Sequence, residues 1–372
     1  MAQGNHRIVA LQALRFVAAA GVAAAHSECA TTFWRQQGCT FTYPTAVGAA
    51  GVDIFFVLSG FVIALTGPLA DPRPSGADFF WRRWSRVAPL YYLLSLPLIA
   101  HALTHGWFNA PQTIATFLFW PAAGPSLVTP YIEAGWTLCF EMIFYSAVSA
   151  ALVGRNIRRN LTVLAALILA LFTARLFSGW PPLRILANPI LAEFGLGVGL
   201  ACFWPWLRRA DLRIGLALVV LSIGAFAVEA VVGVGNAPLP GPTLSGDNSL
   251  WRVVAFGLPG AVLVAGGCIL DRALRGPLVA AAAWLGDASY STYLIQSVAI
   301  PVLALAALSV VGRQHPTLLA FGLFASAMGL GSLTYVLVER PIMRDLKRLR
   351  ARQAARAAAR RVAPLSEPDG VT

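Results

Sequence analysis

Long apolar stretches separated by short polar segments set the pattern of this chain. Apolar runs lie near 8–26, 47–66, 86–104, 135–153, 161–178, 189–206, 214–234, 252–270, 289–311 and 318–338. Each is close to the ~20 residues that an α-helix needs to cross the hydrocarbon core of a bilayer. A helix satisfies its own backbone N–H and C=O groups, which lipid cannot do. The pattern therefore predicts an all-α, polytopic integral membrane protein with about ten transmembrane helices. The run Thr113–Trp120 is too short to cross and predicts a re-entrant or interfacial piece. Trp34, Trp107, Trp136, Trp180, Trp206 and Trp251 fall near run ends, where aromatic belts form.

Composition supports the same class. The 372 residues are 58% hydrophobic and only 12% charged, with a mean hydropathy of +0.69. Soluble domains carry about 25% charged residues, so a water-soluble enzyme with a polar shell is excluded. Disorder is excluded by the same apolar content. The first run contains Arg15 and lacks a small-residue cleavage pattern, so it reads as a retained span rather than a cleavable signal peptide.

The net charge of +12 raises nucleic acid as a partner, but the placement of the 28 basic residues argues against it. Nine fall between Arg340 and Arg361, and most others occupy alternate loops. With both termini on one side, that side holds 22 basic residues and the opposite side five, Arg35, Arg175, Arg184, Arg252 and Arg313. This asymmetry predicts cytoplasmic termini and an even number of spans, with the lipid bilayer as partner. The chain divides into a membrane domain, 1–341, and a basic cytoplasmic tail, 342–372. Ala351–Arg361 is expected to form a basic helix on the inner leaflet, and Gly235–Asn248 a Pro/Gly-rich outer loop.

Cys29, Cys39, Cys139, Cys202 and Cys268 show no metal-ligand spacing, so no metal site is expected. Cys29 and Cys39 share the first outer loop and are either bridged or two free thiols. The other three read as packing residues.

Charge inside hydrocarbon is costly, so intramembrane ionisable groups are functional candidates. They are Arg15, His26, Asp53, Glu141, Glu193 and Glu229. Arg15 and His26 stand eleven residues apart, which places them on one helix face about 16 Å apart along the axis. His26, Asp53 and Glu141 are all expected in the outer part of the bilayer, where one imidazole and two carboxylates suit a proton-handling site. Plainer readings exist for each residue alone. His26 at a helix end suits an interface, Asp53 after Gly51 suits the helix dipole, and Glu193 or Glu229 suits the lining of a polar cavity or a pair with Arg184 or another arginine. In Trp81–Arg86 the side chains of Arg83 and Arg86 fall on neighbouring positions of a helix face. Paired guanidinium groups there hold phosphates well, although topogenic charge between Trp anchors is the plainer reading of the spacing.

Taken together, these segments resemble the membrane-bound acyltransferase 3 family, in particular its exopolysaccharide and O-antigen acetyltransferase-like members. The carriers are LQALRFVAAAGVAAAHS from Leu11, GVDIFFVLSGFVI from Gly51, RRWSRVAPLYY from Arg82 and GWTLCFEMIFYS from Gly135. LGDASYSTYLIQS from Leu285 and LVERP from Leu337 complete the set. They run in family order from residue 11 to 341.

The resemblance implies O-acyl transfer, chiefly acetyl, from cytoplasmic acyl-CoA to a hydroxyl of a carbohydrate at or beyond the outer face. It also implies a bacterial-type inner membrane. His26 matches the family's catalytic histidine and Arg15 its helix partner. Arg83 and Arg86, with Arg82 beside them, match the pair associated with the acyl-CoA side. Glu141 matches the acidic residue of the fourth-span motif, and Asp53 lies in the matching second-span segment. Many members carry His where this chain has Gln296, which cannot transfer a proton at neutral pH. No SGNH-type esterase domain follows the tail, so a one-domain member is expected.

In this scheme the phosphates of acyl-CoA dock on Arg82, Arg83 and Arg86, and the thioester arm rises past Arg15. His26 then serves as general base or as an acyl-carrying nucleophile. The competing reading is a proton-coupled transporter using the same buried charges. It predicts inverted repeats with matching Gly/Pro breaks, and the sequence shows none by eye.

Overall fold

The structure is a computed structural model that describes residues 8–36, 47–154, 156–232, 240–310 and 315–362. Cys39 and residues 235–239 of the expected outer loop lie outside the described residues. Every described regular element is helical. Helix α1 spans Val9–Gln36 and α2 Gly51–Thr66, after a 3₁₀ turn over Val47–Ala50. Then come α3 (Gly76–Thr104), α4 (Ala110–Leu118), α5 (Gly135–Ala151) and α6 (Ile157–Arg175). The short α7 (Pro181–Leu186) leads into α8 (Leu191–Cys202), followed by α9 (Leu212–Val232). Ser249–Arg252 and a π-helical turn over Val253–Gly257 open α10 (Leu258–Leu270). The chain continues through α11 (Pro277–Asp287), α12 (Ser289–Val310) and α13 (Pro316–Thr334). A second π-helical turn, Tyr335–Glu339, joins α13 to α14 (Arg340–Val362).

Among the described residues, nine helical stretches are long and apolar enough to cross a membrane. The chain is therefore a multi-pass membrane protein. The expected span at 135–153 departs from the pattern. Its helix, α5, has 17 residues, about 26 Å at 1.5 Å per residue, and its middle is lined by core rather than lipid-facing side chains. The expected span at 86–104 starts earlier, at Gly76, because the Ser75 hydroxyl accepts from the Asp78 N–H at 3.2 Å and caps the first turn. The cluster Arg82–Arg86 therefore lies inside α3 and not in a loop. Thr113–Trp120 forms no crossing. Its α4 has nine residues, capped by the Asn109 side chain on the Gln112 N–H at 2.9 Å.

Helix α1 is the hub, packed against α2, α10, α11, α12 and α13. Helix α11, unforeseen in the apolar pattern, lies on α1 because Gly286 brings its backbone against Gln12; a Cβ at Gly286 would stand 1.9 Å from the Gln12 carbonyl oxygen. Helices α2 and α8 meet the same way. A Cβ on Gly60 or Gly197 would lie 2.0 Å from the carbonyl of Phe194 or Val57. Small residues that let backbones approach are the main packing device where water gives no drive for helix association. By contrast, α6 has no buried residue and presents apolar side chains on all faces, as a lipid-bathed helix does.

This packing makes a clear expectation. Gly60→Leu should destabilise the protein by at least about 1–3 kcal/mol through overpacking. Gly195→Ala, on α8 with nothing within 4 Å, should leave stability unchanged or slightly raised. Thermal unfolding in detergent reads both, and equal stability of the two variants would contradict the close α2–α8 approach.

Candidate functional site

Arg15 and His26 lie on one side of α1 and lead into two separate polar regions. At the His26 end is a cavity of about 40 Å³ lined by Val22, Ala25 and His26 of α1, with Ala49 and Val52 at the start of α2. Glu133, Ala134, Trp136, Arg252 and Tyr293 complete its wall. The half-buried imidazole thus faces protein. Such a space is large enough to hold at least one water.

Arg252 is the strongest feature of that wall. Its side chain is 6% exposed and pairs with the fully buried Asp53, Nη2 to Oδ2 at 2.5 Å and Nε to Oδ1 at 3.1 Å. It also donates to the Ala49 carbonyl at 3.2 Å. Two parallel N–H···O bonds fix the plane of the guanidinium. The carboxyl of Glu193 lies beside Asp53, and among the described residues no donor reaches either of its oxygens. Glu193 does not pair with Arg184, which lies 3.5 Å from Asp247 instead. Glu229 stays apart, with a buried Oε2 that has no hydrogen-bond partner among the described residues. Tyr293 is held by Thr137, hydroxyl to hydroxyl at 3.0 Å.

The second region surrounds Arg15. Its guanidinium is in electrostatic reach of Arg86, Glu339, Glu141 and Tyr145. Both carboxylates are engaged elsewhere. Ser59 and Tyr145 donate to Oε1 of Glu141, the Ser59 bond at 3.1 Å. Glu339 stands 3.2 Å from Arg86 and accepts from Ser291 at 2.6 Å. The π-helical turn at Tyr335–Glu339 turns Glu339 inward, where it is 2% exposed.

The expected trio is therefore divided. Asp53 joins the wall of the His26 cavity through Arg252, whereas Glu141 belongs with Arg15. Its partner Ser59 lies six residues beyond Asp53 on α2, about 9 Å further along the axis. The arginine cluster is divided as well. Arg86 turns to Glu339, and Arg83 donates to the Thr66 hydroxyl and lies 5.7 Å from the centroid of the Phe79 ring. Arg82 turns away to Asp78 at 2.7 Å, on an exposed surface.

Several site residues escaped sequence reasoning. Arg252 reads as outer-loop charge, although its place at the head of the run 252–270 signals a cation entering apolar surroundings. Trp136 reads as a belt residue but is 7% exposed, in edge contact with Phe56 and Phe140. Trp107, Trp180, Trp206 and Trp251 are exposed, as a belt requires. Gln296 is fully buried with neither amide atom hydrogen-bonded among the described residues. Cys29 is disulfide-bonded, and Cys139, Cys202 and Cys268 are free thiols. Among the described residues no group of three His, Cys, Asp or Glu side chains is placed to hold a metal ion.

Residues 8–336 match the model of the acyltransferase 3 family, described as an acyltransferase domain. The chain is 35% identical over 323 residues to the exopolysaccharide production protein ExoZ of Rhizobium meliloti (strain 1021), covering 84% of this chain and 95% of that one. It is 28% identical over 380 residues to the acyltransferase MdmB of Streptomyces mycarofaciens, covering 92% of this chain and 94% of that one. No solved structure matches. The helical bundle, the matched residues and the relatives agree, and the chain belongs to the acyltransferase 3 family.

Proposed function

We propose that the protein is an O-acyltransferase that moves an acyl group, acetyl first, from cytoplasmic acyl-CoA to a hydroxyl of an exported or cell-surface carbohydrate. The observation that carries this reading is the arrangement along α1, with His26 in one protein-lined cavity and Arg15 beside the Arg86–Glu339 pair further down. The word exopolysaccharide in the name of the Rhizobium relative supports a polysaccharide acceptor. The charge asymmetry supports ten spans with both termini in the cytoplasm of a bacterial-type inner membrane, α5 being the short tenth.

In the proposed reaction, acyl-CoA lies with its phosphates toward Arg83 and Arg86, Arg82 standing at the rim. Its thioester arm passes Arg15, and Glu141 holds the polar lining there through Ser59 and Tyr145. The acceptor hydroxyl enters at the His26 cavity. His26 takes the hydroxyl proton as the oxygen attacks the thioester carbonyl carbon. The carbon–sulfur bond then breaks, and the CoA thiolate leaves and takes up a proton. Arg252, held by Asp53, presents a fixed cation where negative charge develops on the carbonyl oxygen.

The test is mass spectrometry of surface glycans from cells with and without this chain. The expected result is loss of one acyl mass per modified sugar in its absence. Identical glycans, together with solute uptake by vesicles holding the protein, would favour the proton-coupled transporter instead.

A further inference from the structure

The family match ends at Val336, yet the chain continues into α14, which carries a run of cations facing a second cavity. This cavity, about 670 Å³ in volume, is lined by Arg86, Arg340, Arg344, Lys347 and Arg348, with Tyr335 at its side. At 100° per residue, positions 340, 344, 347 and 348 fall within about 100° of one another, so one face of α14 holds all four cations. Glu339 lies at the floor with Arg86, and Asp345 stands 3.6 Å from both Arg344 and Arg348. Five cations thus line the cavity with one carboxylate, Glu339.

The cavity has a built frame. Arg350 of α14 donates to the Trp81 carbonyl at 3.3 Å and to the Ser85 hydroxyl. That pins α14 across the turn of α3 that carries Arg83 and Arg86. Arg86 lines this cavity and Glu339 beside it is buried, and Arg15 is in electrostatic reach of both, so the cavity borders the Arg15 region. A lipid headgroup offers the same phosphate chemistry but no reason for a place beside that region.

We propose that the cationic face of α14 binds the phosphorylated nucleotide end of acyl-CoA, so that the segment beyond the matched domain forms half of the donor site. This rests on the acyl-CoA reading above. Charge-assisted contacts from Arg344 and Lys347 would meet the ribose phosphate of the nucleotide, while Arg83 and Arg86 keep the diphosphate of the same molecule.

The experiment compares wild type, Arg344→Ala/Lys347→Ala and the control Arg158→Ala/Arg159→Ala in nanodiscs of neutral phosphatidylcholine. The donors are acetyl-CoA and acetyl-phosphopantetheine, which lacks the nucleotide. The α14 variant is expected to raise KM for acetyl-CoA about tenfold, with kcat within about twofold. Its KM for the short donor should equal that of wild type, and the control should match wild type on both. All four positions are exposed, so the variants should fold, which thermal unfolding checks. An unchanged KM for acetyl-CoA overturns the site, as does an equal rise for both donors. An effect seen only with phosphatidylglycerol present assigns the face to anionic lipid and also overturns it. If wild type turns over neither donor, the acyl-CoA reading itself fails.

Discussion

Replacing His26 with Ala is expected to lower acyl transfer by about 10²–10⁴-fold, the range for losing a general base, with membrane insertion intact. His26 is half-buried on α1 and contributes to the cavity wall beside Trp136, Arg252 and Tyr293. In the proposed reaction it lies where a small acceptor hydroxyl meets the fixed cation of Arg252. Removing the imidazole enlarges the cavity without stranding a buried charge, so the loss should be in chemistry and not in folding. Comparing glycan acylation with protein abundance in the membrane separates the two. Wild-type acylation by the variant would remove His26 from the mechanism. Trapping of an acylated His26 when acceptor is absent would favour the covalent route over direct transfer.

The second large effect concerns the buried ion pair behind that cavity. Arg252→Met is expected to destabilise the protein by about 3–5 kcal/mol, the cost of leaving a buried charge without its partner. Both Asp53 and Glu193 are fully buried, and this substitution removes the cation they share. Asp53→Ala should cost less, because Glu193 is already beside the pair and remains as a counter-charge for Arg252. The double variant Asp53→Leu/Arg252→Met should recover part of the loss, since a well-packed apolar replacement of both partners is tolerated better than removal of one. Thermal unfolding in detergent orders the three variants. An Arg252→Met protein that unfolds with wild type would show that the pair contributes nothing to the frame of the site.

These two sites also show which features of a sequence carry three-dimensional information. Nine of the ten expected crossings coincide with stretches long and apolar enough to span, because length and hydropathy are properties of a segment by itself. The common face of Arg15 and His26 follows from helical geometry alone, and so does the adjacency of Arg83 and Arg86. The rest depends on which helices become neighbours. Asp53 and Arg252 are 199 positions apart, and Ser59 and Glu141 are 82 apart. No local pattern announces either pair. Similar depth groups His26, Asp53 and Glu141 in the sequence, but depth does not say which wall a side chain faces. Trp136 misled for a related reason. A tryptophan near a run end marks the interface only when its helix meets lipid, and α5 is enclosed by α2, α3 and α8.

Helix α11 shows the same limit from another direction. Its apolar run is too short to read as a crossing, and only the contact of Gly286 with Gln12 reveals that it buttresses the Arg15 end of α1. The tail is legible as charge, with nine basic residues between Arg340 and Arg361. Its engagement with α3 through Arg350 is not, because one hydrogen-bonding arginine among nine basic residues has no distinguishing sequence signal.

Label transfer across a sealed membrane tests the central claim most directly. Vesicles holding the purified protein would be loaded with acetyl-CoA labelled in the acetyl group, and the carbohydrate acceptor supplied only outside. Acetyl transfer from a donor at the Arg86 end to an acceptor at His26 predicts labelled carbohydrate outside, label-free CoA inside, and neither with His26→Ala. Labelled carbohydrate that appears only when donor and acceptor share one side would contradict it.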